Sequence, residues 1–257
     1  MNARTREPVY TTAIAAGRLL FGALRLKPIV TGAENLPASG GAVLAITHFG
    51  YMDFALTEWM VWHRNRRRIR FLAKKGAFDK PVVGWLLRGM RHISVDMKAG
   101  GEAYSQAIAA LEAGEILGVF PEAGVSASFT VRELKTGTVR MAAEAGVPII
   151  PVAVWGGHRL LTKGHKPILS EARNVPVRFA IGAPLTVGAD ADVRETTAAL
   201  RQTLQTLLDD AQASYPDAGT GAWWQPAHLG GTAPTPEEAA VIEAERQRRK
   251  AEEAAAR

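Results

Sequence analysis

The sequence contains no cysteine, which rules out disulfides and thiolate metal sites and fits a cytoplasmic setting. It has no stretch of eighteen uninterrupted apolar residues, so no spanning helix is expected, and its start lacks the layout of a signal peptide. Its histidines show none of the short ligand spacings of a zinc site. The cations are spread over several loops without interleaved aromatics, which argues against nucleic acid as a partner. What remains is a 257-residue chain with 47% hydrophobic residues, enough for one α/β domain with appendages. A formal net charge of +6 points to an anionic partner, either lipid phosphates or a phosphorylated substrate.

The chain is organised around Ala45-Ile-Thr-His-Phe-Gly-Tyr-Met-Asp-Phe54. The apolar run Gly41 to Ile46 precedes it and reads as a buried strand, while the residues after Asp53 have helical spacing. His48 and Asp53 thus fall where a strand hands over to a helix, a usual place for chemistry in α/β proteins. A histidine held by a carboxylate can take a proton from a hydroxyl near neutral pH. The plain alternative is a pair of turn and helix-cap residues.

A short strand and a turn are expected over 29–37, further strands over 69–75, 91–96, 116–120 and 175–182, and helices over 82–89, 102–112, 134–145 and 193–213. Val147 to Trp155 is strand-like, but its two prolines argue against a regular, fully paired central strand. The alternation predicts an α/β fold: a single-domain mixed sheet flanked by helices, with an N-terminal amphipathic helix and a flexible C-terminal tail. Residues 1–28 hold that first helix, suited either to a membrane interface or to packing on its own domain. Residues 29–214 form the folded domain, and 215–257 read as a linker and a charged tail. Five arginines between positions 64 and 70 are denser than helix capping requires and are expected to press on lipid phosphates.

Four segments carry a family resemblance: Thr47 to Asp53; Lys74-Lys-Gly-Ala-Phe78 with Pro81 and Gly84; Phe120-Pro-Glu-Ala-Gly-Val-Ser126; and Val147-Pro-Ile-Ile-Pro-Val152. In this order they resemble the blocks of the glycerolipid acyltransferases, the lysophosphatidic acid acyltransferase-like enzymes with an H-x4-D motif. The likeness covers roughly residues 29 to 185. It implies transfer of a fatty acyl group from acyl-CoA or acyl-carrier protein to a lysophospholipid hydroxyl, most simply that of 1-acylglycerol-3-phosphate, in phospholipid biosynthesis. His48 would be the general base and Asp53 its orienting carboxylate, with no metal and no cofactor beyond the thioester donor. Glu122 would organise the acceptor site, with Gly124 and Ser126 in the same loop. Membrane lipids are the implied partners, reached by peripheral docking at the cytoplasmic face of the cell membrane.

Two departures bear on the acceptor. Ala123-Gly124-Val125 stands where the family has G-T-R, so its arginine is missing, and Met97 stands where an arginine generally follows the aspartate of the second block. The remaining cations for a phosphate are Lys74 and Lys75, then Lys135, with Lys98 and Arg132 behind them. Another lysolipid or a glycolipid is therefore an open acceptor, and a non-catalytic membrane-binding relative is an alternative. A serine hydrolase fits poorly, because Gly124-Val-Ser-Ala-Ser128 fails the G-x-S-x-G pattern. His92, His158 and His165 read as loop or surface residues, the last two near the donor entrance.

Overall fold

The structure, a computed structural model, describes residues 7–96 and 99–255. The elements in chain order are α1 (Pro8–Ala23), β1 (Lys27–Thr31), β2 (Ala42–Ile46), α2 (Asp53–Asn65), β3 (Ile69–Lys74), α3 (Lys75–Phe78), α4 (Pro81–Gly89), β4 (Ile93–Val95), α5 (Gly101–Glu112), β5 (Ile116–Val119), α6 (Gly137–Glu144), β6 (Ile149–Trp155), β7 (Pro176–Ile181), α7 (Val193–Ala213) and α8 (Pro236–Ala255). Seven strands make one mixed sheet in the order β1-β7-β6-β2-β5-β3-β4. Every pair is parallel except β6 with β7.

Side chains alternate across the sheet as the strand period requires. Val43 and Ala45 of β2 pack on one face with Ala107 and Leu111 of α5, Val139 of α6 and Leu204 of α7. Leu44 and Ile46 pack on the other with Phe21 of α1 and Leu56, Met60 and Val61 of α2. β2 is apolar throughout because both of its faces are covered. The result is the expected α/β architecture.

The departures from expectation have physical causes. β6 is a fully buried central strand, paired with β2 on one side and β7 on the other. Pro151 is tolerated because its backbone faces β7 where that ladder is interrupted. Its carbonyl accepts the Gly182 N–H at 2.9 Å, and pairing resumes at Ile149 with Leu185. α6 starts three residues later than expected because the Lys135 N–H is drawn to the Pro121 carbonyl. The segment from Tyr215, linker-like in composition, is packed on the domain, with Trp224 and Ala233 buried. α1 buries Tyr10, Ile14 and Phe21 along one face and exposes Leu19 and Leu20.

The arginine cluster is also only partly a surface feature. Arg67 donates to the carbonyls of Pro37, Gly40 and Gly114, tying three loops together. Arg70 is buried between Glu7 and Glu115. Arg68 lies over the rings of Tyr10 and Trp62. Arg64 and Arg66 are left on the surface.

Candidate active site

β2 and β5 are parallel neighbours at the centre of the sheet, and the loops leaving their carboxyl ends carry His48 and Glu122. Asp53 is the first residue of α2 and is 1% exposed, whereas the His48 side chain is 17% exposed. The Asp53 Oδ2 oxygen lies 3.2 Å from His48 Nδ1 and accepts the N–H groups of Phe49 and Gly50, each at 2.8 Å. The same carboxylate therefore shapes the turn and orients the ring, which merges the plain reading of this pair with the functional one. With Nδ1 engaged by a carboxylate, Nε2 is the ring nitrogen left to act as a base.

The ring has a second support. Phe120, the residue directly after β5, stacks on His48 with centroids 4.1 Å apart and planes inclined by 23°, and Phe71 of β3 stacks behind it at 5.9 Å. Asp53 Oδ1 is buried, and a Cβ on Gly157 would sit 2.9 Å from it. A glycine at 157 is thus required for the carboxylate to occupy its place.

Glu122 reaches the site through the backbone. Its Oε1 accepts the His48 N–H at 3.1 Å, and its Oε2 accepts the Arg132 N–H at 3.2 Å. Burial pushes its carboxyl up to about 7, against these two N–H groups and the Arg132 charge, which favour the ionised form. Arg132 also donates to the carbonyls of Glu122 and Gly124. The loop is held in a tight turn in which Ala123, standing at the resemblance's glycine position, keeps a left-handed φ of +57°.

The other sequence candidates divide. Ser126 is fully buried; its N–H donates to the His48 carbonyl at 2.8 Å and its hydroxyl to the Thr130 carbonyl at 2.9 Å. It braces the loop and presents no nucleophile, and Gly124 contributes through its carbonyl. Lys74, Lys75 and Lys135 are exposed, and Lys75 pairs with Asp96 at 3.2 Å. None of the three makes a contact with His48 or Asp53 among the described residues, and Lys98 and Met97 lie outside them. The missing arginine's position, Val125, is a buried apolar side chain. Arg132, ranked last by sequence, is the cation that reaches this loop.

The histidine readings change as well. His158 is buried among Phe49, Phe129 and Trp155, bonds the Trp224 carbonyl through Nε2 at 2.9 Å, and is lowered by burial to about 3. His92 is buried, accepts the Phe71 N–H and is lowered by burial to about 4. His165 matches expectation as a surface residue, stacked on Trp223.

Residues 27–155 match the Acyltransferase family model, half of the chain and the half that carries His48, Asp53 and Glu122. The chain belongs to the acyltransferase family. The 1-acyl-sn-glycerol-3-phosphate acyltransferase of Bacillus subtilis is 33% identical over 140 residues, which cover 53% of this chain and 68% of that protein. A chloroplastic enzyme of the same name from Arabidopsis thaliana is 26% identical over 168 residues, 64% of this chain but only 45% of the plant protein. The crystal structure of the 1-acyl-sn-glycerophosphate acyltransferase of Thermotoga maritima superposes with a TM-score of 0.67 at 22% identity, covering 80% of this chain and 81% of that one, and so shares this acyltransferase's fold.

Proposed function

We propose that the protein transfers a fatty acyl group from an acyl thioester, acyl-CoA or acyl-carrier protein, to the hydroxyl of 1-acylglycerol-3-phosphate. The observation that carries this reading is the 3.2 Å contact of His48 Nδ1 with a buried carboxylate on an otherwise part-exposed ring. The acceptor O–H gives its proton to His48 Nε2 while its oxygen forms a bond to the thioester carbonyl carbon. Asp53 supports the imidazolium that results. Collapse of the tetrahedral intermediate breaks the C–S bond, and the imidazolium proton goes to the departing thiolate. No acyl-enzyme is needed, in keeping with the internal bonding of Ser126. The acceptor is supported by the names of the relatives, and Arg132 on the Glu122 loop is the cation best placed for its phosphate.

The same reading includes peripheral attachment to the cytoplasmic face of an anionic membrane. No helix among the described residues is long and apolar enough to cross a membrane. Leu19 and Leu20 on α1 and Val82 and Trp85 on α4 are exposed beside Arg18, Lys80 and Arg88, an apolar surface with cations around it. A panel of lysolipid acceptors with one long-chain acyl-CoA tests the proposal through release of free CoA. Fastest release with lysophosphatidate is expected; release that is independent of any acceptor, or none with lysophospholipids, overturns it.

A further inference from the structure

A cavity of about 520 Å³ lies between α1, α2 and α4, and His48 is not among the residues that line it. Its walls include Ala13 and Gly17 of α1, Phe54 and Trp59 of α2, Phe71 of β3 and Trp85 of α4. Phe54 directly follows Asp53, and Phe71 stacks on the ring that stacks on His48, so the cavity begins two aromatic rings from the base. Most of the lining is apolar, and its polar members are Tyr10, Thr12, Arg18, His92 and Glu58. Glu58, one turn of α2 beyond Phe54, is 7% exposed and faces the cavity.

The two oxygens of Glu58 are in different situations. Oε2 accepts the Tyr10 hydroxyl at 2.8 Å and the Ile69 N–H at 2.9 Å, joining α1 and β3 to α2. Oε1 is buried with no hydrogen-bond partner among the described residues. A structural role for Glu58 is complete with one oxygen; a buried acceptor left unmatched at a cavity wall points to a ligand group.

We propose that this cavity binds a hydrocarbon chain bearing a neutral hydroxyl, with Glu58 Oε1 as the polar contact of that hydroxyl. The surroundings select the class. A ligand carboxylate would meet the Glu58 carboxyl in a low-dielectric site, where like charges repel strongly. A ligand cation would meet Arg18 on the cavity wall and the Arg68 and Arg70 charges that act on Glu58. A hydroxyl avoids both, and it can donate to the ionised acid or accept from the protonated one. Burial pushes Glu58 up to about 7, against the Tyr10 and Ile69 hydrogen bonds and the two arginines, so both forms exist near neutrality. Tyr10 remains un-ionised there, raised well above its ordinary value by burial, and burial keeps His92 neutral. Taken with the acyl-transfer reading on which it rests, the site equips the enzyme to distinguish hydroxylated lipid chains from plain ones.

The test is equilibrium binding of octan-1-ol, 1-chlorooctane and octanoate to the full chain, read by fluorescence of the cavity tryptophans Trp59 and Trp85. A purely apolar cavity prefers 1-chlorooctane, the more hydrophobic probe. The expected result is octan-1-ol binding about fivefold more tightly than 1-chlorooctane, the scale of one hydrogen bond. Glu58→Met should abolish that preference. Glu58→Gln, which keeps the contacts to Tyr10 and Ile69, should keep it and raise octanoate affinity severalfold above pH 7. Equal binding of alcohol and chloride by the wild type, or a preference that survives Glu58→Met, overturns the proposal. If Glu58→Met does not fold, unchanged octanoate binding by Glu58→Gln above pH 7 overturns it. No acyl transfer is measured, so failure here leaves the acyl-transfer reading standing.

Discussion

Asp53 holds His48 with the same oxygen that holds the turn between them. Oδ2 sits 3.2 Å from Nδ1 and takes the N–H groups of Phe49 and Gly50 at 2.8 Å, so backbone and ring are positioned by one buried charge. Geometry of this kind is over-determined: the carboxylate cannot move away from the ring without unmaking the turn.

Replacing that charge separates the two duties. Asp53→Asn retains an oxygen that can accept from the turn but removes the negative charge beside the imidazolium. The expected loss in kcat is about 10³- to 10⁴-fold, the scale seen when a triad aspartate is made neutral, with KM for the acyl donor little changed. Steady-state kinetics of the variant checks this.

Gly157 tests the same carboxylate from behind. A methyl group there falls 2.9 Å from Asp53 Oδ1 and 2.7 Å from Leu56 Cδ1, and Asp53 must move. Because about 1 Å of misplacement can cost 10²-fold, Gly157→Ala should lower kcat by at least tenfold while the protein still unfolds cooperatively on heating.

Buried acids and buried histidines oppose each other in the pH dependence of stability. Glu58 and Glu122, pushed up by burial to about 7, bind protons in the fold that the unfolded chain has released above its ordinary value near 4.5, so their contribution falls as pH rises from 5 to 7. His92 and His158, pushed down by burial to about 4 and 3, refuse protons that the unfolded chain takes up below 6.5, so theirs falls as pH drops over the same span. Urea unfolding of the wild type should therefore change little between pH 5 and 7. The double variant Glu58→Gln, Glu122→Gln removes one side of the balance and should lose roughly 2 kcal/mol for each histidine on going from pH 7 to 5.

The arginine cluster should split by function. Arg70→Ala leaves Glu7 and Glu115 only the longer contacts of the more exposed Arg91, at 3.5 and 3.6 Å, and is expected to cost about 3–5 kcal/mol, with binding to anionic vesicles unaltered. Replacing Arg64 and Arg66 by alanine should weaken vesicle binding and change stability by less than about 0.5 kcal/mol. Melting curves and vesicle sedimentation of the two variants report both effects.

That contrast shows which parts of the molecule were legible in the sequence. The His48–Asp53 pair was readable because both residues lie in one strand-to-helix turn, where spacing fixes geometry. The strand and helix alternation was readable for the same reason: its periodicity is local. What the arginines do depends on carbonyls and carboxylates such as Glu115, 45 residues from Arg70, which no local pattern reveals. The buried segment around Trp224 and the central placement of β6 escaped in the same way, since glycine and proline content reports local preference and tertiary packing overrode it. Phe120 carried a readable signal, a large apolar residue directly ahead of Pro121-Glu122, yet its place against His48 is set by strand pairing. Arg132 was undervalued because the loop between it and Glu122 folds back on itself.

The decisive measurement is the acyl-transfer rate of His48→Ala with a long-chain acyl-CoA and lysophosphatidate. The side chain is held by the Phe120 stack and by Asp53, which keeps the Phe49 and Gly50 N–H groups when the ring is removed, so the variant should fold and bind donor while its kcat drops by about 10³-fold or more. A folded His48→Ala protein that transfers the acyl group as fast as the wild type would contradict base catalysis by this imidazole.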